Sequence, residues 1–194
     1  MKTKNVIILG ATGNIGSQVC ELLKNNDEVQ LTLYVRNSRR LKNKEASNME
    51  VIEGDVMNYD RLKEAMKGQH IVFAGLSGDL EAMAKNIVKA MEETEVKKLI
   101  FISSIEIYST PLKPILKPYR KAADVIEASS LDYTVLRPAW FTNSNEVDYE
   151  ITHKGEPERG SVISQKSLAT FITKVIKAPE KYSRESLGIN KPNS

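Results

Sequence analysis

Thiols are almost missing from this chain. Its 194 residues include one cysteine, Cys20, so no intrachain disulfide can form. Cys20 falls on the apolar face of a helical pattern, where the expected role is a small buried hydrophobe and not a reactive thiol. Histidine is nearly as scarce. His70 and His153 stand far apart without ligand-spaced partners, so no metal site is expected. No apolar run approaches the ~20 residues that span a bilayer. The N-terminus, Met1-Lys2-Thr3-Lys4, leads into an apolar strand and not into a removable signal. A cytoplasmic setting without a membrane partner is therefore expected. An excess of one charge sign is also lacking: 28 basic against 25 acidic residues leave a net charge of +3. That is too little to argue for nucleic acid, and no such partner is expected. A hydrophobic content of 41% with 27% charged residues is that of an ordinary globular chain, long enough for one domain with a substantial core. No internal repeat and no low-complexity linker divides it.

What the chain does have is a punctuated start. Val6-Ile7-Ile8-Leu9 is an apolar strand that stops at Gly10, and a helical pattern through Val19, Leu22 and Leu23 follows Gly16. Gly10, Gly13 and Gly16 are spaced GxxGxxG. This spacing lets the backbone turn sharply at the first, approach a ligand closely at the second and pack helix on strand at the third. The helix then presents unpaired N–H groups and the positive end of its dipole over the turn. A pyrophosphate is the natural occupant. The strand before and the helix after give the triplet its meaning as a dinucleotide fingerprint, with Gly10, Thr12, Gly13, Asn14 and Ile15 as the phosphate-binding residues.

Gln30 to Arg36 alternates as a second strand and runs into the basic stretch Arg36-Asn37-Ser38-Arg39-Arg40-Leu41-Lys42-Asn43-Lys44. At this point of a dinucleotide fold an acid would bind the free 2′-hydroxyl of NAD, and an arginine the 2′-phosphate of NADP. The acid is missing and Arg36 is present, so NADP(H) is expected over NAD(H), with Arg39 or Arg40 as a second contact. A solvated basic loop and a nucleic-acid patch are the rival readings. Met49 to Val56 is a short third strand that puts Asp55 and Val56 where an adenine ring could rest, although a turn or capping aspartate reads as well. A helix is expected from Tyr59 to Lys67, then a fourth strand from His70. Its end, Ala74, Gly75 and Leu76, is expected to line the cofactor, loop glycine being the plainer alternative.

A long amphipathic helix is expected over residues 79–95, with Met83, Ile87, Val88 and Met91 facing the core. Lys98 to Ser104 is an almost unbroken apolar strand, as a central parallel strand covered on both faces should be, and it delivers Ser103 and Ser104 to the ligand edge. Pro111, Pro114 and Pro118 mark a loop; helical spacing resumes from Tyr119 to Ser130, and Asp132 to Pro138 reads as a sixth strand. Beyond it the signal weakens. Ala139 to Asn145 reads as a loop whose Trp140 and Phe141 either close over the nicotinamide side or plug the core. Val147 to Thr152 is a candidate strand, Ser164 the N-cap of a helix from about Gln165 to Lys177, and the remaining tail is expected to be mostly peripheral.

Strands alternating with helices predict an α/β fold, a doubly wound parallel sheet with helices on both faces. The whole of 1–194 forms a single domain in this reading, with 139–194 as a small substrate-side lobe and C-terminal helix. Gly10-Ala11-Thr12-Gly13-Asn14-Ile15-Gly16, Gly54-Asp55-Val56, Ile102-Ser103-Ser104 and the segment Leu131 to Pro138 together resemble an atypical short-chain dehydrogenase/reductase of the NmrA-like, NAD(P)H-binding kind, over about Lys4 to Phe141. The resemblance implies a Rossmann fold with cofactor at the glycine turn, and either an oxidoreductase or a redox sensor that binds cofactor without turnover. It also implies that Ser104, four residues before Tyr108, takes the place of the family's active-site serine, and that Tyr119 stands near the place of its tyrosine. The lysine four residues further on is absent: Ala123 occupies that position and Lys121 is out of step. Without the lysine that lowers the tyrosine pKa, tyrosine acid/base chemistry is undercut. Transfer of hydride to a flavin or quinone can do without it. The expected activity is thus reduction of a small planar acceptor by a monomer or homodimer.

Overall fold

The computed structural model describes residues 3–41 and 48–194. Met1, Lys2 and the basic Lys42, Asn43 and Lys44 lie outside the described residues.

Strand β1 (Lys4–Leu9) sits inside an eight-stranded sheet, paired in parallel with β2 (Val29–Val35) on one side and β4 (Ile71–Ala74) on the other. Its alternation explains the unbroken apolar run. Val6 and Ile8 face one helical layer, Ile7 and Leu9 the other, and all four are fully buried. With β3 (Met49–Glu53), β5 (Lys98–Ile102), β6 (Asp132–Pro138), β8 (Glu150–His153) and β10 (Glu185–Asn190), the order is β3-β2-β1-β4-β5-β6-β10-β8. Only β8 runs antiparallel. The order reverses direction at β1 and β4, and ligands in such sheets lie beyond the carboxyl ends of the strands at that point.

Helices α1 (Asn14–Leu23) and α5 (Gln165–Lys177) pack together on one face. The other face carries α2 (Tyr59–Met66), α3 (Leu80–Glu93) and α4 (Lys117–Glu127). Ser164 caps α5 as its sequence implies, its hydroxyl accepting from the Ser167 N–H at 2.9 Å. In α3, Ile87, Val88 and Met91 are buried, whereas Met83 is half-buried.

The structure corrects the reading of the last third. The tail is not peripheral: β10 lies between β6 and β8, and every residue from Ser186 to Asn190 is buried. Its pattern was hard to read because one face is polar yet enclosed. The Ser186 hydroxyl meets the Tyr108 hydroxyl at 3.0 Å, and Asn190 donates to Glu150 at 2.8 Å. Residues 139–145 are not simply a loop either. Strand β7 (Trp140–Thr142) pairs in parallel with β9 (Val162–Ser164) to form a separate two-stranded sheet. No helix among the described residues is long and apolar enough to cross a membrane.

Candidate functional site

The glycine turn closes the carboxyl ends of β1 and β4. Gly10 has φ +93°, and a Cβ there would lie 2.2 Å from the Gly75 carbonyl oxygen. The Gly75 N–H in turn donates to Leu9 at 3.0 Å, joining the two strand ends. Gly16 is equally constrained, with the Gly10 oxygen 2.3 Å from where its Cβ would stand. Gly13 is different. It donates to the Gly10 oxygen at 2.9 Å and occupies the N-cap of α1, and a Cβ on it would meet only that oxygen, at 3.2 Å. The space over Gly13 is open. No side chain caps α1, so the N–H groups of its first turn are left for an external acceptor. This cradle fits a pyrophosphate.

To one side of the turn lies a cavity of about 190 Å³ whose lining includes Thr12, Tyr34, Arg36, Arg40, Asp55 and Val56. Arg36 follows β2 directly, and Arg40 is brought round by a short 3₁₀ turn, Ser38–Arg40. Asn37 caps that turn by accepting from Arg39 at 3.0 Å, and Glu53 accepts from the Ser38 N–H at 2.7 Å. Arg36 and Arg40 thus reach the same cavity, while Arg39 is exposed and outside it. Asp55 makes the turn contact and also stands on the cavity wall. One of its oxygens accepts from the Met57 N–H at 2.8 Å. Tyr34 escaped sequence reasoning, and Gly54 was quoted there only within the segment Gly54-Asp55-Val56, without a place in the site. The Tyr34 hydroxyl donates to the Asp55 carbonyl at 3.2 Å and lies 2.2 Å from where a Gly54 Cβ would be. Burial pushes the Tyr34 pKa up, the Asp55 charge adds to that, and Arg61 opposes it. The glycine beside an aspartate after a strand was the available signal.

To the other side lies a chamber of about 380 Å³; Gly13, Gly75 and Leu76 line both, so the two adjoin at the turn as the halves of one trough. Ala74 does not contribute, contrary to expectation. As the last residue of β4 it points into the core and is fully buried. The chamber is walled by Asn14, Ile15, Ile102, Ile105 and Pro138, together with Ser103, Ser104, Tyr119, Trp140 and Phe141. Among the described residues no Asp, Glu, Lys, Arg or His lines it.

The two serines differ. Ser103 is buried and its hydroxyl donates to the Tyr119 carbonyl at 3.3 Å, tying the first turn of α4 to the end of β5. Ser104 is half-buried, and its hydroxyl makes no hydrogen bond among the described residues. The backbone around them is fixed from β6, with Ser103 and Ile105 N–H groups donating to Leu136 and Pro138 at 2.7 and 3.0 Å. Trp140 and Phe141 are 70% and 46% exposed, so they rim the chamber and do not plug the core. Ala123 is fully buried, and Lys121 reaches Glu81 at 2.9 Å, out of the chamber. Tyr108 is also elsewhere, its hydroxyl held by Glu127 and Ser186. Cys20 is buried in α1, which pushes its thiol pKa up to about 12 and leaves it inert at neutral pH.

Residues 10–179 match the model of an NAD(P)H-binding family. Among solved structures, a Rossmann-fold NAD(P)-binding family protein from Shigella flexneri superposes with a TM-score of 0.93 at 44% identity, covering 99% of this chain and 95% of that one. A wide-type short-chain dehydrogenase/reductase from Veillonella parvula DSM 2008, in complex with NADP, gives a TM-score of 0.89 at 26% identity over 98% and 95% of the two chains. By sequence, an uncharacterised sugar epimerase of Bacillus subtilis strain 168 is 27% identical over 181 residues, 84% of this chain and 78% of that protein.

Proposed function

The chain belongs to the NAD(P)H-binding family, and from that premise we propose that it is an oxidoreductase that reduces a small planar acceptor, such as a flavin or quinone, with NADPH preferred over NADH. The observation that carries the reading is the continuous trough. It begins at two arginines, crosses an uncapped glycine turn and ends in an uncharged chamber with an aromatic rim. The NADP bound by the Veillonella relative supports the same cofactor here. We take the working form as a cytoplasmic monomer or homodimer.

The roles follow from position. The α1 amides and the turn hold the pyrophosphate, Arg36 and Arg40 hold the 2′-phosphate, and Val56 and Asp55 border the adenine. When bound, the cofactor supplies the hydride. Ser104 donates its hydroxyl to the acceptor's carbonyl or ring nitrogen and stabilises the charge that develops there. Ile102, Ile105, Trp140 and Phe141 keep the acceptor flat and exclude water. Among the described residues the chamber carries no carboxylic acid, ammonium or imidazole to act as a strong proton donor. It suits an acceptor whose reduced anion is stable until water protonates it, and not a ketone whose alkoxide needs an acid at once. A sugar, as named for the Bacillus relative, would need more polar partners for its hydroxyls than Asn14, Ser104 and Tyr119 provide.

A second reading, a regulatory protein that binds cofactor without turnover, draws on Ala123 and on Lys121 being engaged by Glu81. One screen separates the two: NADPH oxidation with flavins, quinones, aldehydes and a UDP-sugar. Turnover with quinone or flavin is the expected result. Tight NADPH binding without oxidation by any acceptor would replace the enzyme by the sensor.

A further inference from the structure

Outside the trough, one group is buried under unusual terms. Arg137, near the end of β6, is 2% exposed, and its Nε has no hydrogen-bond partner among the described residues. Its route lies across β10. Gly188 is its register partner there, and Gly188 pairs in turn with Thr152 of β8. A Cβ at Gly188 would lie 2.3 Å from the Thr152 hydroxyl and 3.6 Å from an Arg137 nitrogen, so the missing side chain leaves the guanidinium its space. One Arg137 nitrogen donates weakly to the Ser186 carbonyl at 3.4 Å, and the Tyr108 ring stands 5.2 Å away. Among the described residues the one ion pair of this buried cation is with Glu158, in the irregular stretch between β8 and β9.

Glu158 has a second contact. Its other carboxylate oxygen accepts from the N–H of Glu106 at 2.7 Å. Glu106 adopts φ +64°, a left-handed conformation that a glutamate takes at a cost, and it does so two residues after Ser104. The carboxylate therefore bridges the buried guanidinium to the turn that ends the serine segment. Hydrogen bonds from β6 fix Ser103 and Ile105, but they stop at Ile105. At the next residue the Glu106 N–H is held by Glu158, while the Glu106 carbonyl accepts from the Ser109 N–H at 3.1 Å and its carboxylate pairs with Lys113.

We infer that Glu158, anchored by Arg137, is a positioning residue for Ser104: it holds Glu106 in its left-handed turn and so sets where the serine hydroxyl stands in the chamber. The inference rests on the reductase reading for its effect on rate, and on geometry alone for its effect on the turn. Removing the carboxylate releases the Glu106 N–H and lets Glu106 relax toward negative φ, dragging Ile105 and Ser104 with it. Glycine at 106 has no such preference and keeps the turn unaided.

Hydrogen–deuterium exchange and steady-state kinetics on Glu158→Ala, Glu106→Gly and the double variant test this. In Glu158→Ala the amides of residues 104–107 should exchange at least tenfold faster. The rate of NADPH oxidation with a soluble quinone should fall roughly tenfold, while NADPH affinity, read from Trp140 fluorescence, stays within about twofold. Adding Glu106→Gly should restore most of the rate without restoring the thermal stability that the unpaired Arg137 forfeits. That split is one a merely structural role would not produce. In a Ser104→Ala background, Glu158→Ala should slow the reaction no further. Unchanged exchange at 104–107 in folded Glu158→Ala overturns the inference whether or not the protein has turnover. Faster exchange with no rescue by glycine overturns the link to the turn. A wild-type protein without turnover would remove the reductase reading alone, and exchange would still decide the clasp. If Glu158→Ala does not fold, Glu158→Gln replaces it; its single acceptor oxygen goes to the Arg137 guanidinium and leaves an NH2 facing the Glu106 N–H, so exchange at 104–107 should still rise, and unchanged exchange counts against the inference.

Discussion

Arg36 and Ser104 carry the sharpest expectations at the scale of single residues. Arg36 stands at the carboxyl end of β2 on the wall of the cavity it shares with Arg40. A charge-assisted contact to a phosphate contributes about 1.5–3 kcal/mol, roughly ten- to a hundredfold in affinity. Arg36→Ala should weaken NADPH binding by about that factor and leave NADH nearly unchanged, as cofactor titration will read; equal losses for both would place the 2′-phosphate elsewhere. For the serines, Ser104→Ala should lower kcat/KM by roughly ten- to a thousandfold, the usual range for one lost donor to a developing charge. Ser103→Ala should do far less, because its hydroxyl is spent on the Tyr119 carbonyl at 3.3 Å. Full activity in Ser104→Ala would leave a site that works by proximity alone.

The strand-turn-helix unit at the start of the chain separates the uses of its glycines. Gly10 and Gly16 are required by the protein's own backbone, with Cβ positions 2.2 and 2.3 Å from carbonyl oxygens, whereas Gly13 would meet nothing closer than 3.2 Å. Gly13→Val should therefore fold and melt close to the wild type while losing binding of both cofactors, because the branched side chain fills the pyrophosphate space. Gly16→Ala should lose stability first, since helix and strand must move apart to admit a methyl group. Calorimetry on the two variants checks both halves. Undiminished NADPH affinity in Gly13→Val would take the phosphate site away from this turn.

Across the whole molecule, the structure makes the C-terminal strand part of the main sheet. Leu187 is fully buried within the layer that also holds α1 and α5. Leu187→Ala should cost roughly 2–5 kcal/mol, or about 4–20 °C in Tm at this chain length. A peripheral tail would shift it by a degree or so. Because β10 is also what Arg137 crosses, damage there should reach the Glu158 clasp, although it is remote from the glycine turn.

The first 138 residues were legible because their signals are local. Each strand there is a short apolar run, each helix has its 3.6-residue period, and the glycine turn sits between them where the backbone has no other choice. Ser164 was readable for the same reason, as a cap acts on a hydrogen bond three residues away. From these the sequence determined the doubly wound sheet, the glycine turn that opens α1 and the place of Arg36 after β2. The tertiary structure decided what depends on partners distant in the chain. Strand β10 carries serine, glycine and asparagine on an enclosed face because Tyr108, Thr152 and Glu150 meet them, and no period announces that. Trp140 and Phe141 read equally as core or rim until β9 took up the partner side of β7 and left them facing the chamber. Arg137 and Glu158 lie 21 residues apart and Glu158 and Glu106 lie 52 apart, so their bridge exists only once the sheet brings the end of β6 beside the loops that follow β5 and β8. Local hydrogen bonding and side-chain period are written in neighbouring residues; a buried charge and its partner are written only in the packing.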